Sequence, residues 1–351
     1  MNVLFCAQSI DRDDPSMSFF HDWVATFASE FETITVICLK KDVYSLPSNV
    51  TVYSLGKEEG VGYTWPRFRY VMRLLYLTIV LRQRYDRVFV HMNQEYILVS
   101  GILWKLMRKP IFLWYNHYSG SILTDFASLF CQKVFFTSDF AYTSKYAKSV
   151  KMPVGVDIRR FSVPQKGGGG VQDSILSLGR IAPSKKIEVF IHAIRTVSMQ
   201  HQCSVSVYGP AVTDADAEYL RKLKELVVHA NLETIIRFHP GVPSFDTPAI
   251  YASHSLFINC SRSGMYDKTI FEAAASGCIV IAASEDFRKL AGEDHYFTPD
   301  DPDALAAKIV YFLEMPPGEL GRVRVRMQEL ARTHSLATLG STLKFQMQTI
   351  Q

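Results

Sequence analysis

Long apolar runs are missing from this 351-residue chain. No stretch of about 18 uncharged apolar residues occurs, which excludes a helix spanning a bilayer. Cysteine is scarce: Cys6, Cys38, Cys131, Cys203, Cys260 and Cys278 are all there are, and no two share a metal-ligand spacing. Several sit inside apolar runs such as TVICL. They read as reduced core residues of a cytosolic protein, not as a disulfide framework or a metal site. The opening MNVLFCAQS has no charged n-region, so no secretory leader is expected. The loop after the first apolar run, AQSIDRDDPSMSFF, contains no glycine. That argues against a dinucleotide fingerprint, and with it a nicotinamide-dependent dehydrogenase. No aromatic-basic module for nucleic acid is recognisable, so no nucleic-acid partner is expected.

What the chain does have is apolar content for two cores. It is 48% hydrophobic and 21% charged, and single cores stop growing at roughly 250–300 residues. Its net charge of +4 is unevenly spread: residues 1–160 carry +5 and the remainder −1. Short apolar runs alternate with helical patterns throughout. Strands are expected at 2–7, 33–39, 50–55, 86–91, 111–115, 133–137 and 149–154. Helices are expected between them at 17–30, 67–84, 94–107, 122–130 and 139–146. Four consecutive glycines, Gly167–Gly170, cannot support regular structure and mark a linker. The alternation then restarts, with strands at 174–178, 203–208, 234–238, 255–259 and 278–282. Helices follow at 185–200, 214–230, 246–252, 268–276, 286–291, 302–314 and 317–332. Strand–helix alternation implies parallel βαβ units. The expected architecture is α/β, with two Rossmann-like doubly wound domains facing a central cleft. The expected bounds are 1–155 for an acceptor domain, 156–170 for the linker and 171–335 for a donor domain. A C-terminal tail at 336–351 is expected to return to the first domain.

Two segments carry chemistry. GRIAPSKK (179–186) follows the run SILSL and precedes a helical pattern. Arg180 can fork onto phosphate oxygens and Lys185 supplies a point charge near a helix start. An isolated RxxxxK is by default a solvated basic helix start. The second segment, SRSGMYDKTIFEAAASG (261–277), follows SLFIN and ends a short helix at Gly277. Asp267 reads as an N-cap. Glu272, among small and apolar neighbours, needs donors, and ribose hydroxyls are good ones. Pairing with Lys268 at i−4 is the plainer account of the same residue.

Together with PVGVDIRRF at 153–161, these segments resemble the retaining nucleotide-sugar glycosyltransferases of family 4 (glycosyl transferases group 1), which have the GT-B fold. The resemblance covers about 150 to 300 well and the first half only in layout, plus LWYNH. It implies that Arg180 and Lys185 hold the donor diphosphate and stabilise the leaving nucleotide. It implies that Glu272, matching the second Glu of the family's Glu-x7-Glu motif, binds ribose. The first Glu of that motif is replaced by Gly264, which leaves its role vacant or moves it to Asp267 or another group. Gly179 and the loop Gly264, Met265, Tyr266, Asp267, Lys268 and Thr269 are then expected around the donor. His117, at a strand's carboxyl end, is expected to face the donor sugar, and Arg180, Lys185, His117 and Asp267 form the catalytic set. Asp14, His91 and Glu95 are the candidates for the acceptor.

The expected function is therefore transfer of a sugar, with retention, from a nucleotide-diphosphate sugar to a glycan, glycolipid or lipid-linked acceptor. No metal or other cofactor is expected. A nucleotide-sugar epimerase of the same fold and a non-catalytic nucleotide-sugar-binding protein stand as alternatives; Gly264 keeps the latter open. The segment 65–87 mixes six arginines with an apolar face. It reads as a core helix with snorkelling arginines that also makes peripheral contact with the inner face of a membrane.

Overall fold

The computed structural model describes residues 1–14, 17–59, 66–162, 171–263 and 267–349. The chain divides into two compact units, residues 1–155 with 336–351, and residues 156–335.

The first unit holds a seven-stranded sheet. Its strands are β1 (Asn2–Ile10), β2 (Thr33–Lys41), β3 (Val50–Ser54), β4 (Arg87–His91), β5 (Ile111–Trp114), β6 (Lys133–Phe136) and β7 (Ser149–Lys151), in the order β3-β2-β1-β4-β5-β6-β7. All pairings are parallel. Central strands such as VLFCA are apolar on consecutive positions because both faces are covered. Val3, Phe5 and Ala7 of β1 point into one core, and Leu4 and Cys6 into the other. The first four α-helices of this unit in chain order are α1 (Ser18–Phe27), α2 (Pro66–Val80), α3 (Glu95–Leu106) and α4 (Ile122–Phe130). The last three lie side by side over the Leu4 and Cys6 face.

The second unit carries α5 (Ile158–Phe161), β8 (Val171–Leu178), α6 (Ile187–Val197), β9 (Ser204–Tyr208), α7 (Asp214–His229) and β10 (Ile236–His239). There follow α8 (Thr247–Ala252), β11 (His254–Asn259), α9 (Lys268–Ala275), β12 (Ile279–Ala282), α10 (Glu285–Ala291), α11 (Pro302–Leu313) and α12 (Pro317–Thr333). The sheet order is β10-β9-β8-β11-β12, again parallel throughout. Ile175, Val207 and Ile258 meet α6 and α11 on one face, while α9 and α12 pack against β12 on the other.

Two expectations need correction. Val156–Phe161 is not linker: Val156 bridges Ser335 and Ile158–Phe161 is a helical turn of the second unit. The rest of that stretch, 163–170 with its glycines, lies outside the described residues. The helix expected at 139–146 is only a 3-10 turn, Tyr142–Lys145. The hydroxyls of Tyr142 and Tyr146 and the Lys145 ammonium all reach Asp125, which fixes the segment by side chains instead of a helical ladder. The C-terminal segment 336–351 belongs to the first unit. Leu336–Gln348 is a helix, α13, packed on α1 with Leu336, Leu339, Leu343 and Met347 buried.

Candidate functional site

In doubly wound sheets, ligands bind beyond the carboxyl ends of strands where the strand order reverses. In the second unit the reversal falls between β8 and β11. A crevice opens there, lined by Ser177–Arg180, Lys185, Tyr208, Asn259–Ser261 and Asp267. Two strand-end loops meet backbone to backbone to shape its floor. The Gly179 N–H donates to the Tyr208 carbonyl at 3.0 Å, and the Ile181 N–H to the Pro210 carbonyl at 3.0 Å. A Cβ on Gly209 would lie 1.8 Å from the Gly179 carbonyl oxygen, so only glycine permits this approach. Gly179 itself has φ +151°.

Arg180 is exposed but held by an ion pair. Its Nε donates to Asp216 Oδ2 at 2.9 Å, and a second guanidinium nitrogen lies 2.7 Å from the same oxygen. Asp216 is buried and also accepts from the Val212 and Thr213 N–H groups at 3.1 Å. It occupies the third helical position of a capping box opened by Thr213. Burial alone would raise its pKa; the Arg180 bond and the Thr213 and Val212 amides outweigh that and hold it below the usual carboxylate range.

Lys185 ends a 3-10 turn, Pro183–Lys185, and α6 begins only at Ile187 because Lys186 takes a left-handed conformation with φ +52°. The helix start expected at 185 therefore sits two residues later. Lys185 Nζ pairs with Asp267 Oδ2, which also accepts from Asn259 Nδ2 at 3.1 Å. Asp267 caps α9, accepting from the Thr269 N–H. Burial pushes its pKa up, but the Lys185 charge and the bonds from Lys185, Thr269 and Asn259 bring the net shift downward. Among the described residues, the buried hydroxyls of Ser261 and Thr269 find no hydrogen-bond partner.

Glu272 lies one turn into α9, half-buried. Its Oε2 accepts from the buried Tyr251 hydroxyl at 3.0 Å. Burial raises its pKa and the Asp267 charge adds to that; Lys268, the Tyr251 bond and Arg160 oppose without cancelling the rise. Gly264, Met265 and Tyr266 lie outside the described residues. The crevice thus gathers Gly179, Arg180, Lys185 and Asp267, with Lys268, Thr269 and Glu272 following Asp267 on α9. Asp216, Asn259 and Tyr251 were not singled out from the sequence. The Thr213-x-x-Asp216 capping pattern was the available signal for the first; the other two carry none.

The remaining candidates belong to the first unit, at the carboxyl edge of its sheet. His117 follows β5, half-buried, with Nδ1 2.8 Å from Ser119 Oγ and its ring stacked on Tyr118 at 4.4 Å. Asp14 closes the β1–α1 loop, accepting from the Met17 N–H at 2.9 Å. Glu95 is exposed at the start of α3. His91 departs from expectation: it is 4% exposed, with the rings of Phe20, Trp23 and Trp114 centred 4.8, 5.5 and 6.4 Å away. Its environment is aromatic core, not an open acceptor surface.

Residues 172–315 match the family described as glycosyl transferases group 1. Two curated proteins are similar over part of the chain. Mannosylfructose-phosphate synthase of Agrobacterium fabrum is 30% identical over 106 residues, 29% of this chain and 23% of that protein. The lipopolysaccharide core biosynthesis mannosyltransferase LpcC of Rhizobium leguminosarum bv. viciae is 26% identical over 211 residues, 57% of this chain and 59% of that one. The matches therefore span less than two thirds of either relative. Among solved structures, Anabaena HepE in complex with UDP aligns with a TM-score of 0.78 over 99% of this chain and 100% of that one, at 15% identity. Sucrose-phosphate synthase of Thermosynechococcus elongatus gives 0.72 over 100% of both, at 17% identity. The fold is GT-B, and residues 172–315 of the second unit are similar to the glycosyl transferases group 1 family.

Proposed function

We propose that the chain is a glycosyltransferase that moves a sugar, with retention, from a nucleotide-diphosphate sugar to a hydroxyl of a glycan, glycolipid or lipid-linked saccharide. One observation carries this reading: the carboxyl ends of β8 and β11 bring Arg180, Lys185 and Asp267 around a single crevice at a topological switch point. Two cations there suit a diphosphate, and the HepE complexes with UDP, with UDP and glucose, and with UDP-glucose make uridine the first base to try. Glu272 would accept from ribose hydroxyls, in place of or beside the Tyr251 bond. Gly179 and the segment 264–269 would line the sugar and phosphates. His117 would face the donor sugar, and Asp14 and Glu95 would meet the acceptor.

In the transfer, the bond between anomeric carbon and phosphate oxygen breaks and the acceptor oxygen bonds to that carbon. The acceptor proton passes to the departing phosphate, whose growing charge Arg180 and Lys185 stabilise, so no step calls on a metal. Six free cysteines, five of them buried, suit a reducing cytoplasm.

The test begins with thermal shifts of the full chain in UDP, GDP and ADP sugars, since a ligand that binds only the folded state raises its melting temperature. One nucleotide series is expected to stabilise the chain. Donor is then incubated with and without acceptor saccharides. Transfer product supports the proposal. An epimer formed without acceptor, or binding without turnover on any acceptor, overturns it in favour of the alternatives. Absence of any shift removes the nucleotide-sugar site altogether.

A further inference from the structure

The outer faces of α2, α3 and α4 are apolar where a helical layer over a sheet is ordinarily polar. Phe68 and Tyr76 on α2 project at i and i+8, Leu106 stands at the end of α3, and Ile122, Phe126 and Leu129 run along α4. All six are exposed, Ile122 to 81% and Leu106 to 75%. The three helices are neighbours in one layer, α2 against α3 and α3 against α4. Their inner faces are already spent on the sheet through Leu74, Trp104 and Ala127. The outer residues therefore form a second apolar face that the unit's own core does not use. Single exposed apolar side chains need no explanation, but a contiguous face of this kind marks an interaction surface.

Charge says what covers it. Residues 66–132 hold nine Lys and Arg against three Asp and Glu, a net +6. Glu59, outside that segment, answers Arg69 and Arg73. Arg67, Lys105 and Arg108 are exposed beside the apolar positions. A second copy of the chain is a poor occupant, because a self-complementary contact would set this positive face against itself. No helix among the described residues is long and apolar enough to cross a membrane, so contact is made along a surface. We propose that the α2–α3–α4 face docks on an anionic lipid bilayer, its aromatic and aliphatic side chains entering the headgroup boundary and its cations meeting lipid phosphates. The inference is independent of the transfer reaction.

Co-sedimentation of the full chain with vesicles tests it, using equal phosphatidylglycerol and phosphatidylcholine against pure phosphatidylcholine. At low salt the mixed vesicles are expected to bind at least about tenfold more protein, and high salt to reduce the difference. The triple substitution Ile122→Ser, Phe126→Ser, Leu129→Ser is expected to bring binding down to the neutral-vesicle level at unchanged melting temperature. Val325→Ser, exposed in the other unit, is the control and binds like the parent. Should the triple variant fold poorly, Arg67→Glu with Lys105→Glu asks the same question and is expected to abolish the preference for anionic vesicles. Equal binding to both vesicle types, or undiminished binding by either variant, overturns the proposal. So does a dimer in sedimentation velocity that the triple variant dissociates, which would make a second copy the occupant.

Discussion

Lys185 and Glu272 illustrate opposite electrostatic arrangements within one site. Lys185 is paired with a carboxylate, Asp267, whose pKa is lowered. Lys185→Ala removes both the counter-charge of Asp267 and the charge proposed to face a departing diphosphate. Loss of one preorganised charge contact costs roughly 10²–10³ in kcat, and the melting temperature should fall as well because Asp267 is left without its counter-charge; an undiminished turnover would remove the role assigned here. Glu272 is instead held above the ordinary carboxylate range. A carboxyl whose folded pKa is raised binds protons better when folded, so stability falls as pH rises from the ordinary value through the raised one. Glu272→Gln escapes that penalty, while its amide oxygen still accepts from Tyr251. At neutral pH the variant is expected to melt roughly 2–4 °C higher than the parent. The gain should vanish below the ordinary carboxylate pKa, and the shift produced by donor should shrink. Calorimetry at two pH values with and without donor checks both halves. A variant less stable than the parent at neutral pH would contradict the assigned direction.

At the scale of elements, the site is a matter of how two loops are held. The contact between 178–181 and 208–210 depends on Gly209, whose Cβ would collide with the Gly179 carbonyl at 1.8 Å. Gly209→Ala is expected to push the 179–181 loop aside and take Arg180 from Asp216. Donor affinity should fall about tenfold or more, while secondary structure is kept; isothermal titration reads the first and circular dichroism the second. Much of this layout is legible in sequence. SILSL and SLFIN read as buried strands because parallel strands covered on both faces are apolar at successive positions, and Asp267 reads as a cap because an aspartate before a helical run accepts from the first turn. The illegible parts have physical reasons. Lys186 in a left-handed conformation delays α6 by a local choice that no periodicity records. Asp216 meets Arg180 from 36 residues away, a pairing set by topology. His91 stands at a strand's carboxyl end like a ligand residue, yet the aromatic side chains of α1 close over it.

For the whole molecule, the last helix decides which unit owns the chain's end. Leu336, Leu339, Leu343 and Met347 fall at i, i+3, i+7 and i+11, a helical stripe, and bury themselves beside Trp23 and Phe27 of α1. Arg87 Nε donates to the Met347 carbonyl at 2.8 Å and Lys133 Nζ to the Gln346 carbonyl at 2.9 Å, so two cations close the helix where its dipole is negative. Burial of four such side chains contributes on the order of 6–12 kcal/mol as an upper bound, as much as a typical domain's net stability. Truncation after Ser335 should therefore unfold the first unit while leaving the second folded. The chain reports this selectively, since its four tryptophans, Trp23, Trp65, Trp104 and Trp114, all belong to residues 1–155. The truncated chain is expected to show solvent-exposed tryptophan emission at room temperature. Its circular dichroism should keep a cooperative melt, and that melt should still rise with the stabilising nucleotide, because the crevice lies wholly within the second unit. Unshifted emission would mean that α13 contributes little to the first core. Loss of the nucleotide response alongside the emission change would mean that the crevice needs more than the unit that lines it.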